Sequence, residues 1–242
     1  MPNETTRVAL SEIALAICIN GISYAVMMVS DRDLYEFSLG FCLSEGLIAN
    51  ANEVQDINFT TLTLGKQADI TVQARANQRL KQRRVALAGP TGCGLCGAES
   101  LEQAMQLPAN NRQAQPQPAR DIIHGATEQL DRLQTQHQGI RGNHCAVFVG
   151  FDGEIISYME DVGRHSALDK LIGRLAQQKL LNTLGFVLLT SRCSHDLVLK
   201  ISRANIPVLV TLAQPTDLAV KSAIDSNIAL YCFQGQQLNR FA

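Results

Sequence analysis

The sequence predicts a mixed α/β protein in two parts: a smaller N-terminal α/β part over 1–106 and a larger α/β domain over 120–242, joined by a linker at 107–119. Three observations carry this. The last hundred residues alternate β-rich apolar runs with amphipathic stretches, the pattern of a sheet with parallel strands covered by helices. The first third carries a hairpin, a helix and two further strand-like runs. Between the two parts, LPANNRQAQPQPA is rich in Pro, Gln and Asn and has no apolar period, as suits a linker or long surface loop.

The elements follow in order. Residues 12–29 read as a hairpin of two buried strands turning at Asn20-Gly21, because Asn-Gly between β-rich runs favours a tight turn. Ser30 or Asp31 is placed to cap a helix with Leu34, Phe37, Leu39 and Phe41 on its apolar face, ending at Gly46. Strand-like runs follow at Asp56–Leu64 and Asp69–Ala74. Residues 120–138 predict an amphipathic helix with Ile122, Ile123, Ala126, Leu130 and Leu133 on one side. Cys145–Phe151, the Asp152-Gly153 turn and Glu154–Met159 predict a second hairpin. Helices at Ser166–Gln178, Ser194–Ala204 and Thr216–Ser226 then alternate with strands at Phe186–Thr190, Val208–Leu212 and Ile228–Phe233.

Composition narrows the function classes. Lys and Arg number 21 against 22 Asp and Glu, and aromatics are 5%, so the broad basic face of a nonspecific nucleic-acid binder is missing. A local basic pocket for a small anion remains compatible with that balance. The cysteines number seven, mostly isolated, unlike the even framework of a small secreted scaffold. Residues 13–30 carry no charge, but Asn20-Gly21 interrupts them, and acidic Glu4 and Glu12 stand where a signal peptide needs positive charge. The expectation is a cytoplasmic protein with reduced thiols, no bilayer crossing and no nucleic-acid partner.

Cys93 and Cys96 stand in GPTGCGLCGAES, a stretch with four glycines just before an apparent helix. A helix N-terminus stabilises the thiolate, the nucleophilic form, and the glycines leave the sulfur accessible. Four readings compete. A structural zinc site needs four ligands and finds no second Cys-x-x-Cys, although His144-Cys145 and Cys193-Ser194-His195 have donor atoms. A zinc deaminase fails, because none of the five histidines has Glu two residues on. A thioredoxin-like dithiol expects the pair to follow a strand directly, whereas here it follows a basic stretch (Lys81 to Arg84) and a Gly-Pro turn. Two core thiols sit poorly with flanking glycines and Pro90. Sulfur relay, in which a thiolate accepts a sulfane sulfur as a persulfide, fits an accessible low-pKa thiol, and a neighbouring thiol can assist.

A second constellation, Glu160 to Lys170, holds six ionisable side chains in eleven residues. Leu168, Leu171 and Ile172 form the core face of the helix begun there, leaving Asp161, Gly163, Arg164 and His165 at its N-terminal approach, a natural place for phosphate oxygens. The blander alternative is a solvated charged helix start. Ligands of such sheets sit beyond the carboxyl ends of the strands, which points to Ser191-Arg192, Ala213-Gln214 and the tail after Phe233. By default Arg192 is a structural ion-pair partner.

Taken together, Asn20–Ser23, Leu39–Gly46, Thr91–Gly97, Asp161–Gly173, Ile206–Val210 and Pro215–Val220 resemble the FdhD family, in order, over nearly the whole chain. The resemblance implies a cytidine deaminase-like three-layer domain beside the smaller N-terminal part. It also implies a sulfurtransferase that accepts sulfur from a cysteine desulfurase and passes it to the molybdenum of a bis(molybdopterin guanine dinucleotide) cofactor, bound as substrate. The sulfurated cofactor then enters formate dehydrogenase. The alternative is a chaperone that delivers the cofactor without carrying sulfur. Carried over residue by residue, the persulfide cysteine is Cys93, with Cys96 in support. The cofactor-binding segment maps onto Cys232, Phe233, Gln234, Gly235, Gln236 and Gln237. Relatives often have arginines within this segment where the present chain has glutamines, so anion neutralisation falls to Arg164, His165 and Arg192. The resemblance also implies a homodimer, and no permanently bound metal is expected. Cys193, after Arg192, is expected to be a buried small hydrophobe.

Overall fold

The computed structural model describes residues 10–84, 107–108, 116–138 and 142–242. Four strands form the first sheet: β1 (Ile13–Ile19), β2 (Ile22–Val29), β3 (Val54–Leu62) and β4 (Gly65–Val72), in the order β2-β1-β4-β3. β1 pairs antiparallel with β2 and parallel with β4. Asn20 and Gly21 both take positive φ, 48° and 75°, as the predicted two-residue turn requires. The two strands it joins are not both buried. β1 places Leu15, Ile17 and Ile19 in the core, but β2 is a sheet edge that leaves Ile22, Val26 and Met28 exposed. Lack of charge in 13–30 reflects β-propensity there as much as burial.

The first helix, α1 (Leu34–Ser44), begins later than the local signals suggest. Asp33 holds the N-cap position in the left-handed region, and neither Ser30 nor Asp31 caps it. Long-range bonds claim both. The Ser30 N–H donates to Asp161 Oδ2 at 3.0 Å, its Oγ accepts from the Val162 N–H at 3.1 Å, and Asp31 pairs with Lys66 at 2.6 Å. The predicted C-terminus holds. Gly46 has φ +66°, and the N–H groups of Gly46 and Leu47 donate to the carbonyls of Leu43 and Cys42, a Schellman closure. The helix α2 (Ala74–Arg84) follows β4.

The second sheet has the order β10-β9-β8-β7-β5-β6, built from β5 (His144–Val149), β6 (Ile155–Asp161), β7 (Phe186–Arg192), β8 (Val208–Ala213), β9 (Ala229–Gln234) and β10 (Gln237–Arg240). The strands β7, β8 and β9 run parallel, as the alternation predicts, while β5 is antiparallel to both its neighbours. The helix α3 (Arg120–Gln138) lays Ile123, Ala126 and Leu130 on one face of this sheet, against Val147, Phe186, Val208 and Tyr231. On the other face lie α4 (Arg164–Gln177), α5 (His195–Arg203) and α6 (Asp217–Asp225), with Leu168, Leu171, Leu197, Ile201 and Ala219 in the core. This is a three-layer α/β/α arrangement. The strand β10 was not predicted. Its four residues, QLNR, carry one apolar side chain and no alternation to betray a strand.

A continuous apolar cluster runs from Leu15 and Ile17 of the first sheet through Phe37 and Phe41 to Leu168, Leu209 and Leu230 of the second. The helices α1 and α4 meet at two glycines. A methyl group on Gly40 would strike the Asp169 carbonyl, and one on Gly173 the Glu36 carbonyl. Close backbone approach therefore requires glycine at both positions. Among the described residues no helix is long and apolar enough to cross a membrane.

Candidate functional site

The charged run 160–170 is not a solvated helix start. Asp161 and Lys170 are fully buried and paired at 2.7 Å, and Asp161 also accepts from the N–H groups of Ser30 and Gly163. Asp169, the residue before Lys170, forms a second buried pair, accepting from Lys200 Nζ at 2.9 and 3.0 Å and from the Ser44 hydroxyl at 2.5 Å. Lys200 also reaches Glu45 at 2.7 Å. Burial alone would lower the Lys200 pKa, but Asp169 and Glu45 outweigh it and hold the ammonium form above its ordinary range. These pairs spend the aspartates on structure. Asp161 is thus a brace between α1's approach and α4, and it offers nothing to a phosphate.

Beyond the carboxyl ends of β7–β9 the remaining polar groups gather. Gly163 caps α4 with no side chain, so Arg164 and His165 open the helix. Two strands of the sheet bring their ends here, because His144 at the start of β5 pairs with Asp161 at the end of β6. The helix α5 starts beside them with Ser194 at its N-cap. Across the gap between the helices, His165 Nε2 lies 3.8 Å from Asp196 Oδ2, both side chains 15% exposed. Among the described residues, four buried atoms here have no hydrogen-bond partner: Arg164 Nε, His165 Nε2, Ser194 Oγ and Asp196 Oδ1. Each such group costs about 1–3 kcal/mol when left unpaired, so a site that keeps four is equipped for a polar ligand.

Electrostatics set the charge states. Burial, then Lys200 and Arg164, push the His165 pKa down to about 4, so its imidazole is neutral at physiological pH. Burial likewise lowers His144, with Arg164 adding to it, and raises the Asp196 carboxyl. Arg164 therefore stands as the main positive charge beside two neutral rings. That arrangement suits an anionic oxygen next to neutral hydrogen-bonding groups.

The predicted residues separate into groups. Arg164 and His165 stand together at the start of α4. Arg192 is exposed at the end of β7 and makes no ion pair among the described residues. In the segment 232–237, Cys232 is fully buried and Phe233 packs on the α3 face against His124, leaving Gln234–Gln237 as the accessible part. Gly235 and Gln236, with φ 55° and 67°, form the turn into β10, and Gln214 Nε2 donates to Gln234 Oε1 at 3.3 Å. This turn lies on the same sheet edge as Arg164 and His165, two strands along from β7, or roughly 10 Å. Cys193 is fully buried, with its thiol pushed up to about 12. His195 Nδ1 is hydrogen-bonded with the Ser222 hydroxyl at 2.7 Å. Cys93 and Cys96 lie outside the described residues.

Ser194, Asp196 and His144 were missed as site residues. The rule that ligands sit beyond strand carboxyl ends reached Ser191-Arg192, and two to four residues further it would have reached Ser194 and Asp196.

Fold and edge together define a mixed α/β protein whose parallel strands end in a polar cluster. Comparison with known proteins gives this class a family. The FdhD/NarQ family model matches residues 10–241, and the chain belongs to that family. It is similar to the protein named sulfur carrier protein FdhD of Cupriavidus necator, 44% identical over 222 residues, covering 92% of this chain and 77% of that one. A protein of the same name from Acinetobacter baylyi is 40% identical over 224 residues, covering 93% and 82% of the two chains. The fold matches the crystal structure of a protein from Desulfotalea psychrophila assigned as a formate dehydrogenase accessory protein. The TM-score is 0.70 and the identity 22%, over 95% of this chain and 86% of that one.

Proposed function

We propose that this chain is a sulfur carrier that acts in the maturation of formate dehydrogenase, with Cys93 as the atom that holds the sulfur. The observation that carries the reading is the state of the other thiols. Of seven cysteines, the five at 18, 42, 145, 193 and 232 are buried and unpaired. Burial pushes Cys42 and Cys193 up to about 12 and Cys145 to about 11, and it raises Cys18 and Cys232 as well. A thiol in that state is protonated at neutral pH and a poor nucleophile. The remaining two are the glycine-flanked pair, Cys93 and Cys96.

In this reading the Cys93 thiolate attacks the outer sulfur of a persulfide on a cysteine desulfurase. The new S–S bond forms at Cys93 while the desulfurase thiolate leaves, so one sulfane sulfur changes hands without net oxidation. Cys96 is the neighbouring thiol that assists. The acceptor is the molybdenum of a bis(molybdopterin guanine dinucleotide) cofactor, a soft-ligand metal centre bound as substrate. Arg164, His165, Arg192 and the Gln234–Gln237 turn are the groups that would hold its anionic and amide-rich parts. The partner-free atoms of Arg164 and His165 support that role.

A host that lacks its own copy of the protein tests the reading. Wild-type chain restores formate dehydrogenase activity there, and Cys93→Ala leaves activity at the background of the empty host. Full restoration by Cys93→Ala would instead favour a chaperone that delivers the cofactor without carrying sulfur.

A further inference from the structure

The basic stretch that ends α2 has no task in the function proposed above. The helix reads ARANQRLKQRR, with Arg75, Arg79, Lys81, Arg83 and Arg84 and no acidic residue among its 11. These five are part of only 21 lysines and arginines in a chain of net charge −1, so the rest of the chain is net acidic. Ala76 and Leu80 anchor the helix in the core, while Arg75 and Gln78 are exposed. Arg75, Arg79 and Arg83 recur at every fourth position, in one line beside the anchoring pair. Like charges at that spacing repel along a helix, and α2 has no carboxylate of its own to offset them. Arg75 forms no ion pair among the described residues either.

The length of this line selects its partner. Three positions spaced four apart cover about 12 Å of helix. A single phosphate answers one arginine, whereas a protein face with spaced carboxylates answers all three. A nucleic acid also has spaced anions, but at net charge −1 the chain has no broad basic face beyond this helix to follow them. Chain position then says which protein. Arg84 stands nine residues before Cys93. That much chain spans at most about 32 Å, so a protein seated on α2 can present its own sulfur to Cys93.

We infer that α2 is the docking surface for an acidic face of the protein that supplies sulfur to Cys93, with Arg75, Arg79 and Arg83 as its line of charge. This role rests on the sulfur-carrier reading above, and it adds a recognition surface separate from the cysteine pair and from the second sheet. Attraction of this kind speeds encounter more than it tightens the complex, and salt screens it.

Two sulfur donors, compared on the full chain at low salt by intact mass over time, test this. One is a cysteine desulfurase with free cysteine; the other is cysteine persulfide, a small donor that needs no docking. Arg75→Glu, Arg79→Glu and Arg83→Glu combined should slow loading by the desulfurase roughly tenfold or more. The same variant should load from cysteine persulfide at the wild-type rate. Arg75→Gln, Arg79→Gln and Arg83→Gln combined should slow the desulfurase less, since charge is removed and not reversed. Both gaps should narrow toward roughly 0.5 M salt, where screening leaves a range of a few ångströms. Glutamate and glutamine form helix about as well as arginine, so circular dichroism should find both variants folded. A folded glutamate variant that the desulfurase loads at the wild-type rate overturns the proposal. So does one that both donors load slowly, because α2 then acts on Cys93 and not on its partner. If neither donor loads the wild type, the sulfur-carrier reading falls instead. Calorimetry of the desulfurase with each chain then decides the docking surface alone: weaker binding by the glutamate variant upholds it, and equal binding overturns it.

Discussion

Alanine at Gly40 is expected to destabilise the protein by at least about 3 kcal/mol, and Gly173→Ala by a similar amount, because each added methyl group meets a backbone carbonyl of the opposite helix. Alanine favours a helix over glycine by about 1 kcal/mol, so the propensity change alone predicts a gain. The two effects have opposite signs, which makes the substitution diagnostic. Neither helix can move away cheaply. On one side, α1 carries Phe37 and Phe41 into the shared core; on the other, α4 carries Leu168, Leu171 and Ile172. Pushing α4 outward would also strain the Asp161–Lys170 and Asp169–Lys200 pairs that it anchors. Chemical denaturation of the two variants measures the loss. A control at half-buried Gly125, where a methyl group meets nothing within 4 Å, should show the propensity gain. Stability equal to wild type in Gly40→Ala would mean that α1 and α4 do not pack as closely as described.

Lys200→Ala has the second large expected effect. It strips the counter-charge from Asp169, which is fully buried, and from Glu45. Removing one partner of a buried pair costs about 3–5 kcal/mol, whereas replacing both with apolar side chains of similar size is often neutral. Lys200→Met combined with Asp169→Leu is therefore expected to recover much of what Lys200→Ala loses, with Glu45 left beside Arg203 at 3.7 Å. Equal losses in the single and double variants, read by denaturant melts, would contradict the pair's role. The site also feels the change. Lys200 helps hold His165 neutral, so its removal should let the imidazole take a proton at a higher pH than before.

Sequence patterns revealed the parts of the fold that depend on local chemistry. Asn20-Gly21, Asp152-Gly153 and Gly46 stop or turn the chain wherever they stand, and alternation announced β7, β8 and β9 between their helices. What depended on distant partners was not legible. Ser30 and Asp31 look like caps in sequence, but Asp161 and Lys66 lie 131 and 35 residues away and take their hydrogen bonds instead. The exposure of β2 follows from its place at the sheet edge, a property of topology. The site divides in the same way. Arg164 and His165 stood out because their segment is dense in charge. Ser194 and Asp196 did not, because a helix start such as Ser-His-Asp is ordinary. Only the packed structure shows that the Ser194 hydroxyl declines the cap and that Asp196 Oδ1 is buried without a donor among the described residues. The burial of Asp161 and Asp169 was equally hidden, since a charged run reads the same whether solvent or a lysine answers it.

The central claim is that one sulfur atom, on Cys93, carries the cargo. Intact-protein mass spectrometry after incubation with a cysteine desulfurase and free cysteine tests it most directly. Wild-type chain should gain the mass of one sulfur, Cys93→Ala should gain none, and a thiol reductant should remove the addition. An active desulfurase that never loads the wild-type chain, or loads Cys93→Ala equally well, would contradict the account.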